Sequence, residues 1–131
     1  MDDRTGDSIP AVGYLRMSSG EQAGSIEQQK AEIERYAEKQ GYRIIRWYFE
    51  PGRSGSKEQN QRVEFKRMLA DSDQRDFRAV LCWDVSRFGR LDNIRGAQAK
   101  DLLRTNGVHL ATVKEGRLDW TTFEGRLMDA L

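Results

Sequence analysis

The sequence predicts an α/β fold: a three-layer sandwich in which helices cover both faces of a mostly parallel sheet of four to five strands. Strand-like and helix-like segments alternate along the chain. The run Ala79-Val80-Leu81-Cys82-Trp83 is continuously apolar, the pattern of a strand covered on both faces. At 131 residues the chain makes one domain, long enough to bury a real core.

Residues 1–9, rich in Asp, Arg, Gly and Ser, read as a disordered leader, and Pro10 marks the approach to a first strand over Ala11–Arg16. Ser25-Ile26-Glu27-Gln28 fits a capping box, with Ser25 as N-cap of a helix that runs to Gln40 and ends on Gly41. Ile26, Gln29, Ile33 and Ala37 form one stripe on it, so Gln29 is either a half-buried boundary residue or points into a polar site. Tyr42–Phe49 is rich in β-branched and aromatic residues and reads as the second strand. The loop Glu50–Ser56 follows, and then a helix over Arg62–Asp73 with Val63, Phe65, Met68 and Leu69 as its apolar contacts. Ala79–Trp83 is the third strand. Asp92 caps a third helix that ends at Asn106-Gly107, and Val108–Val113 is the fourth strand. After a turn at Lys114–Gly116, Thr121–Glu124 offers another capping box for a helix with the apolar stripe Phe123, Leu127, Met128 and Leu131.

Charge and cysteine usage exclude several classes. The 22 basic residues nearly cancel the 21 acidic ones, so any basic site must come from local placement. Such a bias exists: between Trp83 and Lys100, Arg87, Arg90, Arg95 and Lys100 face only Asp84 and Asp92. The single Cys82 rules out an internal disulfide and a cysteine-based zinc site, and reads as a small buried hydrophobe. No apolar run reaches the roughly 18 residues of a membrane span, and the N-terminus lacks a signal-peptide pattern, so a cytoplasmic protein is expected.

The chemistry gathers around Tyr14-Leu15-Arg16-Met17-Ser18. An extended chain puts Tyr14, Arg16 and Ser18 on one side. Ser18, the Glu50–Ser56 loop and the Arg87–Arg90 turn all follow strand ends, where open α/β sheets bind their ligands. The candidate site is therefore Ser18 with Arg16, Arg62, Arg87, Arg90, Gln29 and loop serines including Ser54. Guanidinium forks match a phosphate bidentately, and several converging would stabilise a phosphoryl transition state and a serine alkoxide. Ser19 competes with Ser18 on proximity alone; the strand period favours Ser18. A serine–histidine–carboxylate triad would have to use His109, the only histidine, which sits in an apolar run as a core or edge residue. Asp84 and Glu50 offer a magnesium-dependent nuclease alternative, and a catalytically inactive regulatory module is a third reading.

The motifs Tyr14–Ser18, Ser25–Gln29, Glu50–Gly55, Gln61-Arg62 and Ser86-Arg87-Phe88-Gly89-Arg90, in that order, resemble the catalytic domain of the serine site-specific recombinases, the resolvase and invertase family that includes large serine integrases. The resemblance spans about Pro10 to Leu131. It implies a resolvase-like fold and a reaction on DNA that needs no metal or other cofactor. Ser18 would attack a phosphodiester to leave a 5′-phosphoserine link; Arg16, Arg62, Arg87 and Arg90 would bind the scissile phosphate, and Gln29, Ser54 and Tyr14 would support it. It also implies a homodimer and a synaptic homotetramer for the full-length protein, with this chain a monomer or weak dimer. Two departures stand out. The family's aspartate before the last motif's first arginine is Ser86 here, with Asp84 two residues earlier. The family's long C-terminal helix and separate DNA-binding domain are expected to be cut short here, with the chain ending inside the helix.

Overall fold

The structure, a computed structural model, describes residues 8–17, 23–50, 62–88, 94–118 and 120. Its elements are β1 (Ile9–Arg16), α1 (Ala23–Gln40), β2 (Tyr42–Glu50), α2 (Val63–Asp71) continued by a 3-10 turn over Ser72–Gln74, and β3 (Ala79–Cys82). A single-turn α3 (Val85–Phe88), α4 (Ile94–Thr105), β4 (His109–Thr112) and β5 (Gly116–Leu118) follow. The strands lie in the order β2-β1-β3-β4-β5. All neighbours are parallel except β4 and β5, which run antiparallel.

Side chains alternate between two cores, as the pleat requires. On one face Val12, Tyr14, Tyr48, Val80, Cys82 and Leu110 pack with Phe65 and Met68 of α2 and with Ala99 and Leu103 of α4. On the other, Ala11, Leu15, Ala79, Leu81 and Ala111 pack with Ile33 and Ala37 of α1. The three predicted layers are thus present. The stripe on α1 is the one expected: Gln29, Ile33 and Ala37 are buried, and Ile26 packs against the same core. Gly41 ends the helix at φ 84°, a left-handed conformation that costs glycine nothing, and its carbonyl accepts the Ile9 N–H at 2.9 Å.

Several boundaries differ from the sequence reading. β1 starts at Ile9 and runs through Pro10, whose carbonyl accepts the Arg78 N–H at 2.8 Å. α1 starts at Ala23, so Ser25 lies inside the helix rather than at its N-cap: a capping pattern permits a start without forbidding an earlier one. α2 begins one residue later than expected and stops at Asp71, where Ser72 Oγ donates to Leu69 O at 2.6 Å and the chain tightens into the 3-10 turn. β3 stops at Cys82, and β4 is two residues shorter than predicted. In β2 the strict two-residue period fails. Ala11 pairs with Ile44 but Val12 pairs with Arg46, so Ile45 is an extra, outward-facing residue at a bulge. The bulge is what returns Tyr48 to the α2 face. β5 and α3 are too short to leave a periodic signal; β5 is held by Leu118, which joins the core with Trp120. The Asp92 cap, the Thr121–Glu124 capping box and the stripe Phe123, Leu127, Met128 and Leu131 lie outside the described residues. No helix among the described residues is long and apolar enough to cross a membrane.

Two expectations test this packing. A Cβ on Gly13 would sit 2.3 Å from the Trp47 ring, so Gly13→Ala should destabilise by about 1–3 kcal/mol in denaturant unfolding. His109, at the start of β4, shares a 2.7 Å hydrogen bond with the Tyr42 hydroxyl; burial, then Arg117 and Arg78, pull its pKa from 6.5 down to about 4. Between those values the unfolded chain holds a proton that the folded chain does not. Stability present above pH 6.5 should therefore be lost as pH falls to about 4, by on the order of 2 kcal/mol once solvent screening of the partly exposed ring is allowed for. His109→Gln should remove that component from a pH series of unfolding curves.

Candidate active site

The strand order puts β1 between β2 and β3, so the chain leaves β1 to one side and later returns on the other. At such a switch point, outside the carboxyl ends of β1 and β3, open α/β sheets bind their ligands. Three arginines reach this edge from three elements: Arg16 is the last residue of β1, Arg62 immediately precedes α2, and Arg87 lies in α3 after β3. They are close enough to act on one another. Burial depresses the Arg16 pKa most, and the Arg62 and Arg87 guanidiniums push it the same way, with Tyr14 opposing. An arginine stays protonated under such pressure, so the outcome is a concentrated positive field rather than a lost charge. The Nε atoms of all three, and Oε1 of Gln29, are closed off from solvent.

Arg62 is held by a chain of contacts that begins at Glu50. This carboxylate, only 4% exposed at the end of β2, accepts the N–H groups of Glu64 and Phe65 at 3.2 and 3.0 Å. It therefore caps α2 from outside the helix, favourably placed toward the positive end of its dipole. The Tyr14 hydroxyl donates to the same carboxylate at 3.1 Å and accepts Arg62 Nη2 at 3.1 Å. Burial raises the Tyr14 pKa far above the ordinary phenol value despite the opposing pull of Arg62, so the hydroxyl keeps its proton. Arg62 also donates to the Phe88 carbonyl, and its guanidinium lies 3.9 Å from the Phe65 ring centroid. Its backbone is left-handed, at φ 49° and ψ 60°, which costs a non-glycine residue on the order of 1–2 kcal/mol.

On the other side of the crevice, Gln29 and Arg87 line one cleft of about 190 Å³ together with Gln28, Glu32 and Trp83. Gln29 is thus not a boundary residue: it is 4% exposed and turned toward the arginine edge. Asp84 accepts the Arg87 N–H on both Oδ1 and its own carbonyl at 3.1 Å, so it shapes the α3 turn.

Of the residues the sequence proposed, the structure brings Tyr14, Arg16, Arg62, Arg87 and Gln29 to one edge of the sheet. Ser18, Ser54, Arg90 and the rival Ser19 lie outside the described residues. The two carboxylates offered as a metal pair are engaged with protein donors, Glu50 with α2 and Tyr14, Asp84 with α3. His109 pairs with Ala79 at the opposite end of the sheet, away from Arg16, and hydrogen-bonds Tyr42. Sequence reasoning missed Gln28, Glu32 and Trp83 as cleft residues and Glu50 as a cap. Only Glu32 carried a signal, the helical spacing from Gln28.

A family model for the resolvase N-terminal domain matches residues 11–131. Among solved structures, the chain is similar to a resolvase family site-specific recombinase from Streptococcus pneumoniae, at 26% identity and TM-score 0.73, over 94% of this chain and 85% of that one. It is also similar in fold to the N-terminal catalytic domain of TP901-1 integrase, at 24% identity and TM-score 0.65, over 91% and 87% of the two chains. The C-terminal catalytic domain of ISC1926 TnpA, an IS607-like serine recombinase, gives 22% identity and TM-score 0.66 over 93% and 79%. No curated protein matches.

Removing the cap tests the network. Glu50→Ala leaves two helix N–H groups and a buried phenol without their acceptor, and should cost about 3 kcal/mol in chemical unfolding. A loss below 1 kcal/mol would mean that water replaces the carboxylate.

Proposed function

The chain belongs to the resolvase N-terminal domain family and is the catalytic domain of a serine site-specific recombinase; on that premise we propose that Ser18 is the nucleophile and that Arg16, Arg62, Arg87 and Arg90 hold the scissile phosphate. The protein acts on DNA. The observation that supports these roles is the convergence of Arg16, two residues before Ser18 in the chain, with Arg62 and Arg87 at the β1/β3 edge.

Ser18 Oγ bonds to phosphorus as the P–O3′ bond breaks, and its proton is lost while the departing O3′ gains one. The product is a 5′-phosphoserine ester and a free 3′-hydroxyl; attack by a 3′-hydroxyl on that ester runs the step backward and reseals the strand. The ester conserves the phosphodiester's energy, so no nucleotide is consumed. The arginines lower the cost of the serine alkoxide and of the negative charge on the five-coordinate phosphorus, and bidentate forks fix its orientation. Gln29 and Tyr14 support the site, Tyr14 by holding Arg62, and Ser54 completes it. Cleavage of both strands at two sites calls for a homodimer at each and a homotetramer at synapsis.

Covalent trapping tests the assignment. The chain, fused to a DNA-binding domain of known specificity, is incubated with nicked DNA in EDTA and denatured. Wild type should give a protein–DNA adduct that mass spectrometry maps to Ser18, and Ser18→Ala should give none. Arg87→Lys should form adduct at least tenfold more slowly, because charge remains but the bidentate fork is gone. Adduct formation by Ser18→Ala would sink the nucleophile assignment; near-wild-type rates for Arg87→Lys would sink the phosphate clamp.

A further inference from the structure

We propose that the β4–β5 turn, residues Val113 to Glu115, is a clamp that positions Arg87 for the reaction, with Glu115 as the positioning residue. The inference rests on the assignment of Arg87 to the scissile phosphate. α3, which carries Arg87, has four residues, and one helical turn cannot hold its own geometry in water. Its orientation must come from what grips it.

At its far end Phe88 is buried against Phe65 and Trp120 and its carbonyl takes Arg62; its start is gripped by one turn. Val113 N–H donates to Cys82 O and Lys114 N–H to Trp83 O, both at 3.1 Å, which extends the β3–β4 pairing beyond the last strand residues and up to α3. Lys114 Nζ lies 5.7 Å from the Trp83 ring centroid. Glu115 Oε1 then accepts the N–H of Val85, the first residue of α3, at 3.2 Å. The carboxylate is itself fixed, because the buried Thr112 hydroxyl donates to Oε1 and accepts the Glu115 N–H at 2.8 Å. Asp84 closes the other side of the turn through the Arg87 N–H. Two carboxylates thus set the α3 backbone by accepting its N–H groups. A misplacement of about 1 Å in a phosphate ligand is enough to cost up to a hundredfold in rate.

The same fusion and trapping assay tests the clamp, with single-turnover adduct rates, DNA affinity and melting temperature read in parallel. Glu115→Ala should slow adduct formation about ten- to hundredfold with DNA affinity within about twofold of wild type. Glu115→Gln, which keeps an acceptor for Val85, should recover to within about threefold of the wild-type rate. Since Glu115 acts through Arg87, Glu115→Ala added to Arg87→Lys should slow the residual rate far less than it slows wild type. Thr112→Val supplies a second variant that loosens the carboxylate without removing it, and should slow the reaction in the same direction. Wild-type rates for both Glu115→Ala and Thr112→Val, no rescue by glutamine, or full additivity with Arg87→Lys would overturn the clamp. Arg87→Lys at the wild-type rate would instead overturn the site reading on which the clamp depends.

Discussion

A single buried carboxylate sets the geometry of this edge. Glu50 ends the outermost strand, opposite Arg16 in the β1–β2 register, and takes three donors: two N–H groups of α2 and the hydroxyl of Tyr14. Each belongs to a different demand of the fold. The N–H groups are orphans that any helix start must satisfy. The phenol is a buried polar group that must find a partner. By meeting both, Glu50 fixes where α2 begins and which way Tyr14 points, and Arg62 is left with one place to go, across Tyr14 and onto the Phe88 carbonyl. The strained backbone of Arg62 is affordable because its neighbours on both sides are so constrained.

The topology supplies the rest. With β1 between β2 and β3, the last residue of β1 faces segments that leave neighbouring strands on both sides. Arg16 therefore meets Arg62, which follows β2 in the chain, and Arg87, which follows β3. Gathering like charges in a partly buried crevice works against folding, and the cores on the two faces of the sheet supply the stability that offsets it. On the proposed assignment, an incoming phosphate relieves the repulsion.

Much of this was legible in sequence, and the failures have physical causes. The alternation of elements, the buried strand Ala79–Cys82 and the α1 stripe follow from periodicity, which burial enforces over many residues. Gln29 stood out because it broke that stripe's chemistry while keeping its spacing. The bulge at Ile45, the single turn of α3 and the three residues of β5 involve too few residues to leave a period. Glu50 was read as a possible metal ligand because its caps lie 14 and 15 residues onward, beyond any local capping pattern. Arg62 gave no sign of its left-handed backbone, since nothing in an arginine predicts a conformation that only its tertiary anchors impose.

The routing of Arg62 through Tyr14 carries a chemical consequence. A carboxylate bonded directly to a phosphate-binding arginine would orient it but would also compete with the substrate for the same fork. Here Arg62 makes no ion pair to Glu50; it donates to a neutral hydroxyl, and that hydroxyl passes the constraint on to the carboxylate. Burial keeps the phenol protonated, so the relay carries direction without carrying negative charge to the guanidinium's edge. The Arg87 turn follows the same logic, with Asp84 and Glu115 gripping backbone N–H groups. Acidic residues thus place these cations through main-chain N–H groups and a neutral hydroxyl.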